Sequence, residues 1–167
     1  MGAIDRPKNR SGRRAARLRQ DGITARLSYR LNFLTERGAT LIYPVPTPAS
    51  RPRRGHMTED GRLAFAEFAA DKIGVFDTKT EQIREFPTTQ FFAPYDAILD
   101  RNGELWSGGM NSDTIMRIDT KTGQSVSYLL PMSTNVRRVF VDNSTTPVTF
   151  WVGNNHHGNI IKLEPLD

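Results

Sequence analysis

Gly61-Arg-Leu-Ala-Phe-Ala-Glu-Phe-Ala-Ala-Asp-Lys-Ile-Gly-Val-Phe-Asp-Thr-Lys-Thr-Glu-Gln82 aligns without a gap to Gly103-Glu-Leu-Trp-Ser-Gly-Gly-Met-Asn-Ser-Asp-Thr-Ile-Met-Arg-Ile-Asp-Thr-Lys-Thr-Gly-Gln124, at an offset of 42 residues and with nine identities. The identities include the run Asp77-Thr-Lys-Thr80, which returns as Asp119-Thr-Lys-Thr122. A third, shorter copy follows, in which Phe150-Trp-Val-Gly153 matches Leu105-Trp-Ser-Gly108 and Asn159-Ile-Ile-Lys-Leu-Glu164 matches Thr114-Ile-Met-Arg-Ile-Asp119. Within each unit apolar and polar residues alternate with period two, the pattern of a half-buried strand. The breaks fall at Asp100-Arg-Asn-Gly103, Met110-Asn-Ser-Asp113 and Thr120-Lys-Thr-Gly123. These segments are rich in the residues that close hairpins, glycine by adopting positive φ and Asp or Asn through side-chain hydrogen bonds. A repeat of about 40–45 residues that carries four strands is the signature of a β-propeller blade.

Working outward, Leu41-Ile-Tyr-Pro44 resembles Ile83-Arg-Glu-Phe-Pro87, the fourth strand of a unit. The sequence therefore predicts an all-β fold, a partial β-propeller of about three four-stranded blades. Its expected parts are an orphan outer strand at 40–44, blades at 52–88 and 94–131, and an incomplete blade at 135–165. Trp106, Trp151, Phe65, Phe76, Ile115, Ile118 and Leu163 occupy equivalent apolar positions and are expected to form the core between blades.

The net charge of +5 is unevenly placed. Met1 to Gly38 holds nine Arg and Lys8 against Asp5, Asp21 and Glu36, a balance of +7, which leaves −2 for the rest. This Arg-rich arm contains Ile23, Leu27, Leu31 and Leu34 at helical spacing, so a helical or disordered arm over 1–38 is expected. No aromatic interleaving or binding module accompanies the arginines, which argues against nucleic acid as a partner. The cationic stretch lacks the apolar core and cleavage site of a secretory signal, and the chain as written is expected in the cytoplasm. No run approaches the roughly 18 apolar residues of a membrane helix, so no membrane partner is expected. With no cysteine, thiolate metal sites and cysteine nucleophiles are excluded. Neither a phosphate-cradling glycine loop nor a Gly-x-Ser-x-Gly elbow occurs.

The phrases Leu63-Ala-Phe-Ala-Glu67 and Asp71-Lys-Ile-Gly-Val-Phe-Asp-Thr-Lys-Thr80 resemble the streptogramin lyase family, the virginiamycin B lyase-like propellers, over about residues 40–167 as a truncated copy. Blades of that family read approximately Pro-His-Gly-Ile, then Asp-Gly-Asn-Leu-Trp-Phe-Thr-Glu, then Asn-Lys-Ile-Gly-Arg-Phe-Asp-Pro-Lys-Thr-Gly. The resemblance implies a Mg²⁺-assisted carbon–oxygen lyase that opens a cyclic depsipeptide by elimination. Its histidine follows the proline, and its glutamate comes fourteen residues later. A base must reach the proton alpha to the carbonyl while a cation or acid stabilises the leaving oxygen.

Carried over by position, the histidine becomes Arg53 with Glu67 at the glutamate; then Tyr95 with Gly109; then Arg137 with Asn154. No unit keeps the pair, and arginine, always protonated, is no substitute base. The lyase chemistry is therefore expected to be absent, with Glu67 as the sole candidate catalytic residue that survives. No cofactor is required on this reading, and Mg²⁺ enters only if lyase activity is retained. Arg53, Arg54, Tyr95, Asp96, Arg137 and Arg138 fall at equivalent positions of successive innermost strands. Converging guanidiniums suit a small anionic ligand through bidentate hydrogen bonds. The competing reading is that Arg54, Asp96 and Arg138 pair with one another across blades. His56 lies in the first inner strand, while His156 and His157 read as a loop rather than a metal site. A propeller used as a non-catalytic interaction or sensor module, or a gene fragment with no independent function, is the alternative to ligand binding. Closed propellers have about four to eight blades. Three open ones are expected to self-associate, strand 40–44 of one chain completing blade 135–165 of another.

Overall fold

The computed structural model describes residues 30–34 and 38–166. These hold thirteen strands and no helix, arranged as four antiparallel sheets in which strands pair in chain order. β1 (Arg30–Leu34) and β2 (Thr40–Pro44) form a two-stranded sheet. The first four-stranded blade is β3 (Pro52–Met57), β4 (Arg62–Glu67), β5 (Lys72–Asp77) and β6 (Gln82–Pro87). The second is β7 (Pro94–Leu99), β8 (Glu104–Gly109), β9 (Thr114–Asp119) and β10 (Ser125–Leu129). The third sheet along the repeat has three strands, β11 (Val136–Asp142), β12 (Thr149–Asn154) and β13 (Asn159–Leu163).

The repeated Asp-Thr-Lys-Thr run is a hairpin device. Asp77 Oδ1 accepts from the Lys79 amide at 2.7 Å, and Asp119 Oδ1 accepts from the Lys121 amide at the same distance. The next residue ties two hairpins of one blade together: Thr78 Oγ1 donates to the Gly61 carbonyl and Thr120 Oγ1 to the Gly103 carbonyl, both at 2.7 Å. Gly61 sits at φ +92°, and a Cβ there would meet Thr78 Oγ1 at 2.6 Å, so this glycine answers both to conformation and to contact.

Sheets stack face to face through three apolar clusters. Leu31, Phe33 and Val45 meet Leu63, Phe65 and Phe76 of the first blade. On that blade's other face, Ala64, Ile73, Val75 and Phe86 meet Ala97, Leu99, Leu105 and Ile118 of the second. Trp106 and Ile115 then meet Val139, Val141, Phe150 and Val152, with Phe150 stacked on Trp106 at 5.0 Å. Central strands are consequently buried on both faces, and β4 is enclosed from Leu63 to Glu67. The outer strands β2, β6 and β10 stay largely exposed.

Three expectations change. Strand 40–44 is not an orphan: β1 pairs along its whole length, from Arg30 opposite Pro44 to Leu34 opposite Thr40. β2 is thus one half of a hairpin, with one of its two edges taken by β1. Leu31 and Leu34, assigned to a helix by their spacing, lie in this strand, because Leu31 and Phe33 share a face that the first blade covers to 2% and 3% exposure. The rest of the arm, including Ile23 and Leu27, lies outside the described residues. Trp151 faces away from the second blade and is only half-buried, with Lys162 Nζ 5.4 Å from its ring centroid.

Replacing Phe33 by Ala removes a ring packed 5.0 Å from Phe76 and 5.6 Å from Tyr43. The expected cost is about 3–5 kcal/mol, read as a lowered urea midpoint at constant slope. An unchanged midpoint would mean that β1 is not part of the folded unit.

Candidate functional site

β3, β7 and β11 form the inner edges of their blades and pack side by side, β3 on β7 and β7 on β11. Each carries one extra residue at the same place. Pro52 and Gly55 oppose Glu67 and Phe65; Pro94 and Ala97 oppose Gly109 and Ser107; Val136 and Val139 oppose Asn154 and Val152. A bulge of this kind bends the strand and re-aims its side chains. The residues inside the three bulges are Arg53-Arg54, Tyr95-Asp96 and Arg137-Arg138, so one repeated irregularity presents all six sequence-selected positions together. Gly55 closes the first bulge, where a Cβ would lie 2.1 Å from the Ala64 carbonyl oxygen.

All four arginines are exposed. The Arg53 guanidinium lies 5.1 Å from the Phe68 ring centroid and 5.4 Å from that of Tyr95, while Arg54 lies 5.4 Å from the same Tyr95 ring. Stacking of this type orients a guanidinium plane and leaves its N–H edges available. Arg54 also reaches the third blade, where its Nη1 donates to the Arg137 carbonyl at 3.0 Å. Arg137 Nε donates to Asn135 Oδ1 at 2.8 Å.

Asp96 alone of the six turns inward and is 1% exposed. His56 Nε2 lies 3.1 Å from its Oδ1 and 3.2 Å from its Oδ2, and the Val139 amide donates to Oδ2 at 3.3 Å. This one carboxylate links all three inner strands. No arginine is among these partners, so the expected pairing of Arg54, Asp96 and Arg138 does not form. Phe68 carries no signal in the repeat, because it follows the repeat-aligned Glu67 and has no aromatic counterpart at Met110.

Glu67 ends β4 opposite Pro52, one residue before Arg53. Its carboxylate is fully buried, and neither of its oxygens nor the neighbouring Ser50 Oγ has a hydrogen-bond partner among the described residues. Burial first, and the negative charge of Glu85 second, push its pKa up to about 7; the nearby Ser50 hydroxyl and Lys72 pull weakly the other way. Burial also raises Glu85, but hydrogen bonds from Lys72 Nζ at 2.9 Å and from Thr47 at 2.7 and 2.8 Å outweigh it and hold Glu85 below the usual range. Lys72 and Thr47 are thus spent on Glu85.

These residues do not fit Mg²⁺, which takes carboxylate and other oxygen donors. Of the six positions carried over by the resemblance, only Glu67 brings an anionic oxygen, Arg53 and Arg137 are cations, and Asn154 Oδ1 already accepts from the Asn135 and His156 amides. His156 is held in its loop beside Ser133 Oγ, 3.3 Å from Nδ1. No group of three or more His, Cys, Asp or Glu is placed to share a metal among the described residues. A cleft of about 610 Å³ opens at the opposite ends of the second and third sheets, lined by Arg101, Trp106, Arg117 and Pro147 among others. Its guanidiniums are engaged, Arg101 with Asn143 and Thr146 and Arg117 with Glu104, whereas at the bulges Arg53 and Arg138 make no hydrogen bond to the described residues.

The stacked meanders and their aligned inner strands define β-propeller architecture. Among solved structures the chain is similar to a streptogramin B lyase, with TM-score 0.66 and 21% identity over 83% of this chain and 49% of that one. It is similar to virginiamycin B lyase from Staphylococcus aureus, with TM-score 0.69 and 24% identity over 87% and 55%. The same enzyme in a catalytically inactive histidine-to-alanine form with quinupristin gives TM-score 0.69 and 22% identity over 91% and 59%. The WD40 propeller domain of Doa1 follows at TM-score 0.68 and 16% identity over 87% and 46%, so the likeness is one of fold. The chain spans about half the length of the lyases it matches. No protein-family model and no curated protein matches it.

The Glu67 shift has a definite sign. A carboxyl whose folded pKa is raised contributes stability that is complete below its unfolded value of 4.5 and is lost progressively as pH rises to about 7. The loss amounts to roughly 3 kcal/mol at alkaline pH. Glu67→Gln, which cannot ionise, should therefore gain stability over the parent between pH 5 and pH 8, measured as the difference in urea unfolding free energy. A pH-independent difference would place Glu67 in water.

Proposed function

We propose that this chain is a ligand-binding propeller of the streptogramin lyase-like type that has exchanged elimination chemistry for recognition of a small anionic molecule. The observation that carries this reading is the set of three aligned bulges, which gather four exposed arginines while the one carboxylate among them, Asp96, is buried and committed to His56 and Val139. Donors without competing exposed acceptors favour a carboxylate or phosphate. Loss of the lyase reaction follows from the base. A histidine-to-alanine form of virginiamycin B lyase is catalytically inactive, and Arg53, Tyr95 and Arg137 stand where the resemblance places histidine here. Glu67, the remaining candidate, is buried and held near neutrality by its surroundings.

Two measurements test this. Incubated with Mg²⁺ and a type B streptogramin, the chain should leave the ring intact by mass spectrometry; ring opening that Glu67→Ala abolishes would restore a lyase role. Phosphate or small carboxylates should raise the melting temperature, the stabilisation reaching about 2.7 kcal/mol at a hundredfold excess over Kd. A flat response, or one unchanged in Arg137→Ala, would remove the anion-binding role.

A further inference from the structure

The donors of the bulge site are not evenly spread. Arg53 is stacked between Phe68 and Tyr95 and makes no hydrogen bond to the described residues, so its N–H edges are free. Arg54 leans over Tyr95 towards the third blade and is pinned by the Arg137 carbonyl. Arg137 is steadied in turn by Asn135, and Arg138 is exposed with no hydrogen bond to the described residues. The cationic groups thus fall into two sets. Arg53 lies against Phe68 as well as Tyr95, while Arg54 reaches from Tyr95 to β11, the strand that carries Arg137 and Arg138.

Between them the bulge of β7 supplies an aromatic ring where its neighbours supply cations. Tyr95 is half-buried, and its hydroxyl makes no hydrogen bond to the described residues. Asp96, the other residue of that bulge, is enclosed and spent on His56 and Val139, so no surface charge opposes the arginines from β7. A single anion would answer one set and leave the other as uncompensated like charge. A molecule with an acidic group at each end and a flat or apolar middle would answer both.

We infer that the ligand is an elongated dianion lying across Tyr95, one acidic group held by Arg53 and the other by Arg54, Arg137 and Arg138. This rests on the anion-binding reading above and specifies it. Stacking presents Arg53 as a planar fork for one carboxylate or phosphate edge, a geometry that lysine cannot copy. Joining two acidic groups makes the second contact intramolecular, so affinity should depend on length: too short a molecule cannot span, and too long a one loses effective concentration.

Isothermal titration of the full chain at low salt, with linear α,ω-dicarboxylates of increasing length and their matching monocarboxylates, tests the arrangement. One dicarboxylate length should bind at least about tenfold tighter than its monocarboxylate, a difference of about 1.4 kcal/mol. Arg53→Lys, and separately the double change Arg137→Ala with Arg138→Ala, should each reduce that dicarboxylate to the monocarboxylate level. The circular dichroism spectrum should not change, since all three side chains are exposed. Equal binding of mono- and dicarboxylates at every length would overturn the two-ended site while leaving anion binding standing. Binding of neither would overturn the anion reading itself. Tight binding of a single-stranded oligonucleotide alone, collapsing with salt, would replace both with a nucleic-acid surface.

Discussion

A meander of four short strands has two apolar faces and too little mass to bury either by itself. Everything else in this chain follows from stacking such sheets face to face. Leu63 and Phe65 look towards β1 and β2, while Ala64 and Ala66 look towards the second blade, so alternate residues of one strand belong to different interfaces. The side-chain volumes are matched across each contact. Small Ala64, Ala66 and Ala97 share one interface with Phe86 and Leu105, and Trp106 in the next is filled against by Phe150. Polar contacts between blades supplement this packing at the rims, where Arg84 Nη2 reaches the Thr120 carbonyl at 2.8 Å and the Arg101 amide reaches Asn143 Oδ1 at 2.9 Å.

Stacking also fixes where variation is tolerated. Turn residues cannot drift far, since Asp77 and Asp119 make the same hydrogen bonds and Thr78 and Thr120 brace the same hairpins. The bulges of β3, β7 and β11 are different. Their geometry repeats, but their side chains do not, running Arg-Arg, Tyr-Asp, Arg-Arg. An extra residue in an inner strand takes no part in the ladder, so its side chain answers to whatever the converging strands surround. A scaffold of this kind can retain its architecture while its chemistry changes completely.

Electrostatics at the site show the same division. Glu67 is enclosed beside a Lys72–Glu85 pair that does not compensate it, and its burial favours the neutral acid. Asp96 is equally enclosed but receives His56 and a backbone amide. Two buried carboxyls in neighbouring blades thus have opposite environments, one unpartnered and one shared among three strands. The exposed arginines project from the same framework without either of them as counter-ion.

Period-two alternation, the offset of 42 and the turn residues were sufficient to identify blades, because strand periodicity and hairpin chemistry are local properties of a chain. They also placed Arg53, Arg54, Tyr95, Asp96, Arg137 and Arg138 at equivalent positions. Local pattern failed at Leu31 and Leu34, whose spacing suits a helix; the waiting apolar face of the first blade selects the alternate pair Leu31 and Phe33 instead. It gave the orientation of Trp151, which faces away from the sheet that covers Phe150 as Trp106 faces away from the sheet that covers Leu105, but not its exposure, since no described sheet packs on that side. The bulges, the turn of Asp96 towards His56, and the stacking of Arg53 between Phe68 and Tyr95 were beyond its reach. Each depends on how neighbouring sheets are set against one another, and that relation exists only once the blades have packed.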